Sequence, residues 1–183
     1  IEKYDEAINA SEEAIRAYNE TITTYEEIVS LNPENSTASN IKSRTLIAKG
    51  NGWALKGIIL GEQHEYNEAM QAFNEAVSLN PAGSFIWSFK GKYLNDQGKY
   101  YEAIEAIDMA ISLNPESALA WNYKGAALRG QGKHEEAILA YDEAIRLNPD
   151  DEDCMDNKRL ILIPRPLQFR LIPVIPGTEL RVN

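Results

Sequence analysis

The sequence is poor in the residues that chemistry and cross-linking need. Its 183 residues contain one cysteine and two histidines. A single thiol, Cys154, cannot close an internal disulfide, which fits a reducing, cytoplasmic setting. The chain opens at Ile1 rather than Met and reads as a fragment, so the lack of a leader peptide does not assign a compartment. No apolar run approaches the ~18 residues of a membrane span, so no membrane partner is expected.

Basic residues are also scarce: 18 Lys and Arg face 28 Asp and Glu, for a net charge of −10. Nucleic acid is therefore not expected as a partner, because phosphate binding needs a clustered basic surface. The cations are unevenly placed. Lys158, Arg159, Arg165, Arg170 and Arg181 against Glu179 make residues 158–183 +4 and leave −14 on residues 1–157.

Catalytic signatures are missing as well. His64 and His134 have no His, Cys or Asp at metal-ligand spacing, and Cys154 has no neighbouring His to activate it. No phosphate-cradling glycine loop or nucleophile elbow occurs. Glu12-Glu13 and Glu135-Glu136 read as solvated helix faces. The expectation is a non-enzyme without cofactor or metal.

What the chain does have is a repeat. Leu-Asn-Pro ends at Pro81, Pro115 and Pro149, 34 residues apart, and segments 50–83, 84–117 and 118–151 align without insertion. The first carries Trp53, Lys56-Gly57, Leu60, Tyr66, Ala69, Phe73, Ala76 and Pro81. The second carries Trp87, Lys90-Gly91, Leu94, Tyr100, Ala103, Ile107, Ala110 and Pro115. The third carries Trp121, Lys124-Gly125, Leu128, His134, Ala137, Tyr141, Ala144 and Pro149.

Trp, Gly and Leu at steps of four and three lie on one stripe of a first helix, and the alanines with their bulky residue do the same on a second. Gln97-Gly98-Lys99 and Gln131-Gly132-Lys133 mark the turns between them, and His64 stands at that glycine position in the first unit. Gly57, Gly91 and Gly125 are expected to let the second helix approach at the level of Ala69, Ala103 and Ala137; a larger residue there would cost ~1–3 kcal/mol by overpacking. Each proline ends its unit because it cannot continue a helix. One hairpin cannot bury its own face, so neighbours must stack.

These residues resemble the tetratricopeptide repeat (TPR) family over residues 50–151, departing from it by Lys56, Lys90 and Lys124 where Leu is usual. The lysine stems are expected to pack along the helix with each ammonium reaching water or a Glu. The resemblance implies an all-α fold, a right-handed α-solenoid of antiparallel helix pairs. It also implies a concave face lined by the first helices. By column this face takes in Asn51, Leu55, Ile58 and Glu62, then Phe85, Phe89, Lys92 and Asp96, then Asn122, Tyr123, Ala126 and Arg129. A subclass that grips chaperone C-termini uses Lys and Asn where this chain has Ala54 and Ile58, so an apolar or mixed peptide is the better expectation.

The flanks differ from the repeats. Residues 3–31 contain no Gly or Pro, and Tyr4, Ile8, Ile15, Tyr18, Ile22, Tyr25 and Val29 follow coiled-coil steps with Ser11 in the remaining slot. Residues 1–49 thus hold a long helix and the start of its partner. The partner either runs unbroken from about Ser36 to Gly61, the favoured reading, or breaks at Gly50-Asn51-Gly52. Residues 152–163 read as a degenerate capping helix with Met155, Lys158 and Leu162 in the Trp, Lys and Leu columns and Arg159 in place of glycine.

Residues 164–183, with Pro164, Pro166, Pro173 and Pro176, are expected to be extended. This tail could lie in its own or a neighbour's groove, or be a linker or cloning remnant. The functional expectation is a scaffold binding a peptide or helix of a partner protein. The alternative is a module that self-associates through the N-terminal hairpin or the tail.

Overall fold

The computed structural model describes residues 2–162, all of whose regular elements are helices. They are α1 (Glu2–Leu31), α2 (Ser36–Glu62), α3 (Tyr66–Leu79), α4 (Ser84–Asp96), α5 (Tyr100–Leu113), α6 (Ala118–Gly130), α7 (His134–Leu147) and α8 (Glu152–Leu162). The expected extended tail lies outside the described residues. Consecutive helices pair, α1 with α2, α4 with α5 and α6 with α7, and first helices touch along the stack, α4 against α6. This is an α-solenoid.

The turns explain where each pair folds back. Gly98 and Gly132 sit at φ +74° and +79°, just past the ends of α4 and α6, where a residue without Cβ enters the left-handed region freely. His64 takes the same conformation at φ 64° and bonds through Nδ1 to the Tyr66 hydroxyl at 2.8 Å. Asn35 and Ser117 cap α2 and α6 by accepting from the backbone N–H of Ala38 and Ala120.

Each repeat buries its alanines and its bulky residue completely: Ala69, Phe73 and Ala76, then Ala103, Ile107 and Ala110, then Ala137, Tyr141 and Ala144 are all 0% exposed. The glycines face the bulky residue: a Cβ on Gly57 would meet the Phe73 ring, one on Gly91 the Ile107 side chain, and one on Gly125 the Tyr141 ring. Gly91 also approaches the Ala103 carbonyl. Helix spacing is thus set by a hole-and-knob pair, and the expected approach at the first alanine is seen at Gly91.

Helix α2 runs without a break through Gly50, Asn51 and Gly52, so the long hairpin forms. Its seam buries Ile15 and Ile22 of α1. A lysine row gives the register of α1. Lys90 donates to Asn74, Lys124 pairs with Asp108 and Lys158 with Asp142, each partner lying 16 residues earlier on the preceding second helix. Lys56 pairs with Glu12 of α1 at 2.5 Å.

Glu12 therefore occupies the Asp142 column, and residues 4–15 fall on residues 134–145. Glu6, Ala7, Ile8, Ala10, Glu13, Ala14 and Ile15 are then identical with Glu136, Ala137, Ile138, Ala140, Glu143, Ala144 and Ile145. The start of α1 is a second helix of the repeat. The hairpin projects because both of its helices carry 14 extra residues, before and after Pro33, about four turns of helix each.

Candidate functional site

The first helices carry the expected binding columns, and the structure divides them into three groups. The middle group is aromatic. Phe85 and Phe89 stand one turn apart on α4 with ring centroids 4.9 Å apart, and Phe89 meets Tyr123 of α6 edge-on at 5.8 Å. Phe85 is 46% exposed, whereas Phe89 and Tyr123 are half-buried, so the three rings form a ladder that steps from solvent into the seam between two repeats. Edge-to-face pairs of this kind are worth about 0.5–1.5 kcal/mol beyond their buried area. Ala126 is partly buried one turn beyond Tyr123 on α6.

Charged residues surround this ladder and are already engaged. Lys92 lies between Glu62 at 3.2 Å and Asp96 at 3.3 Å, with its ammonium 4.0 Å from the centre of the Tyr93 ring. The Tyr93 hydroxyl directs its proton at the Ile58 carbonyl at 3.0 Å and at Glu62 Oε1 at 2.8 Å. That hydrogen bond, with help from Lys92, holds the Glu62 carboxyl below its ordinary range. Tyr123 is pushed up to about 12, first by burial and then by the charges of Asp96, Glu62 and Asp151. Ile58 packs inward against the first repeat's core, so it contributes to the floor rather than the rim.

The first repeat's remaining columns point elsewhere. Asn51 and Leu55 line a cavity of about 620 Å³ between α1 and α2, together with Ala7, Ala10, Ser11 and Ala14. Asn51 also accepts from the Asn80 amide at 3.1 Å. Leu55 is 51% exposed.

The third group meets the last helix of the array. Asn122 is buried at 8%, and its side-chain oxygen accepts from Asn157 of α8 at 3.5 Å. Arg129 donates to the same Asn157 at 3.4 Å. The structure sets Asn122 and Arg129 beside Asn157, the α8 residue in the column of Tyr123, which the sequence columns did not include. The cavity-lining alanines of α1 were missed too, although their identity with residues 137–144 is visible in the letters.

Nothing in these groups assembles a nucleophile and base. Among the described residues no three His, Cys, Asp or Glu side chains converge as a metal site. Cys154 is buried with its sulfur against the Tyr141 carbonyl, and burial first, then Asp151 and Asp142, push the thiol up to about 11. No helix is long and apolar enough to cross a membrane, among the residues described.

Comparisons with known proteins agree with this fold. Tetratricopeptide repeat matches cover residues 50–82 and 90–152, together just over half of the chain. No curated protein matches the sequence significantly. Among solved structures, the TPR domain of Arabidopsis OM64 is similar with a TM-score of 0.60 at 16% identity, covering 63% of this chain and 96% of that one. The first TPR of Spaghetti (RPAP3), solved with the HSP90 peptide SRMEEVD, gives 0.56 at 23% identity over 66% of this chain and 90% of that one. The second TPR domain of human RPAP3, in complex with the HSP70 peptide SGPTIEEVD, gives 0.58 at 18% identity over 63% and 99%. At such identities the likeness is one of fold. By its repeats and by its fold, the chain belongs to the tetratricopeptide repeat family.

Proposed function

We propose that this protein is a non-enzymatic scaffold that binds a peptide or helix of a partner protein on the face formed by its first helices, with Phe85, Phe89 and Tyr123 as apolar anchors. The aromatic ladder carries the reading, because partly exposed aromatic side chains at the centre of a surface are what binding hot spots are made of. Similar repeat domains were solved with peptides, which supports the kind of activity.

The ligand chemistry differs from those peptides. Both of them end in Glu-Glu-Val-Asp and bring several negative charges. Here Lys92 is neutralised by two carboxylates, and Ala54, in a column where a clamping Lys would stand, is buried at 0%. An acidic C-terminus would meet Glu62 and Asp96 without a free lysine from this group. The ladder instead suits an apolar or mixed segment that fills the seam with an aliphatic or aromatic side chain. Fluorescence anisotropy with labelled 15-residue peptides, one set amphipathic and one ending in Glu-Glu-Val-Asp, tests this preference. Binding of the first set and not the second is expected; the reverse order contradicts it.

A further inference from the structure

The two ends of the array are complementary halves of one repeat, and we propose that they join: α8 of one copy docks into the cavity between α1 and α2 of a second copy. The residues at the start of α1 have the columns of a second helix, and α8 has those of a first helix. The interior shows what such halves do when together. In the second repeat Leu94, Ala103, Ala106, Ile107 and Ala110 form one buried cluster with Ala120 and Ala127 of the next first helix.

The same columns at the N-terminal end are Ala7, Ala10, Ser11 and Ala14 with Gly52 and Ile59. They line the open cavity of about 620 Å³. What the cluster lacks is its leucine. Ala10 is correspondingly exposed, whereas its counterparts Ala72, Ala106 and Ala140 are 2%, 5% and 3% exposed.

At the other end the missing leucine is present and uncovered. Leu60, Leu94 and Leu128 are 5%, 6% and 4% exposed, but Leu162 in the same column of α8 is 59% exposed. Seated as α4 is on α5, the α8 of one copy brings Leu162 into the cavity of the next.

Side-chain sizes select this occupant over an ordinary first helix. Inside the array a glycine faces a bulky residue: Gly57 faces Phe73, Gly91 faces Ile107 and Gly125 faces Tyr141. At the ends the sizes are exchanged. The glycine column of α8 holds Arg159, 69% exposed at its side chain, and the bulky column of α1 holds Ser11. Where Arg159 comes opposite Ser11, its aliphatic stem covers the small side chain and its guanidinium stays at the rim with Asp156, 2.9 Å away.

The contact is heterologous, so it propagates head to tail instead of closing a two-fold dimer. It does not use Phe89 or Tyr123, so the groove experiment and this one fail separately.

Sedimentation velocity over a concentration series tests the proposal, with circular dichroism confirming helicity. The unmodified chain should grow past the mass of a dimer as concentration rises. Ala10→Glu blocks the cavity and Leu162→Glu spoils the docking helix, so each variant alone should be monomeric. An equimolar mixture of the two should form a one-to-one dimer and stop, since one intact cavity then meets one intact α8. An unmodified chain that stays monomeric at every concentration overturns the proposal, as it would if a different helix filled the cavity. So do single variants that still associate, which would place the contact in residues 163–183 or elsewhere, and a mixture that remains monomeric.

Discussion

The indole nitrogen of Trp121 donates to the Pro115 carbonyl at 3.0 Å, tying the first helix of the third repeat to the proline that closes the second. Trp87 makes the same bond to Pro81 at 2.9 Å. Trp53 has no such proline before it. The residue six positions earlier, Ile47, is inside α2, and the buried Nε1 of Trp53 finds no hydrogen-bond partner among the described residues. Replacing Trp87 or Trp121 by Phe should therefore destabilise the chain by about 1 kcal/mol more than replacing Trp53, the net worth of one hydrogen bond. Urea unfolding of the three variants, compared at constant slope, checks the order. A Trp53→Phe variant as weak as the other two contradicts it.

The lysine row makes a second prediction. Lys56, Lys124 and Lys158 face Glu12, Asp108 and Asp142, but Lys90 faces the neutral Asn74 at 2.8 Å. Each of Lys56, Lys90 and Lys124 also lies over its own repeat's Trp ring, at 5.2–5.4 Å. Burial lowers the Lys90 pKa, and nothing charged offsets it in that column. Asn74→Asp supplies the absent carboxylate and should stabilise the chain by about 0.2–1 kcal/mol, the range of partly exposed ion pairs. The gain should shrink in high salt. A thermal melt at low and high ionic strength reads both effects.

Alkali should open the array through its tyrosines. Tyr123 and Tyr141 are pushed up to about 12, chiefly by burial, and Tyr93 is raised as well. A phenol whose folded pKa lies above its unfolded value near 10 stabilises the fold fully below pH ~10. That contribution is lost as pH rises from about 10 to about 12. Absorbance at 295 nm should show phenol ionisation beginning near pH ~10. The buried group should follow in a steeper step that coincides with loss of helical ellipticity. Ionisation of the buried phenols with helicity retained contradicts this account.

The middle of the chain was readable because its constraints are local and repeated. Proline, glycine and alanine columns each have one physical job, and three copies at one period leave no freedom in register. The break considered at Gly50–Gly52 does not occur, since Gly50 packs against Ala76, Leu79 and Asn80, and Gly52 against Ile15. These glycines serve close approach, and only neighbours distant in sequence reveal that.

Asn122 shows the converse limit. A column rule says which way a side chain points, but α8 decides whether solvent or Asn157 is there to meet it. The repeat character of α1 was hidden by the 14 extra residues before Pro33, which displace it from the 34-residue frame, and by Ser11 in the bulky column. The ion pair of Lys56 with Glu12 restores the frame.

The central claim is that the Phe85–Phe89–Tyr123 ladder binds a partner segment, and a paired substitution tests it most directly. Phe89→Ala with Tyr123→Ala removes two neighbouring rings from a half-buried seam while leaving Ala103, Ile107 and Ala110 untouched. Anisotropy of the tightest amphipathic peptide should show affinity falling about tenfold or more, since each hot-spot aromatic is worth about 1–2 kcal/mol or more. Helical ellipticity should be preserved. Equal affinity in the variant and the unmodified chain, with both folded, would contradict the groove reading.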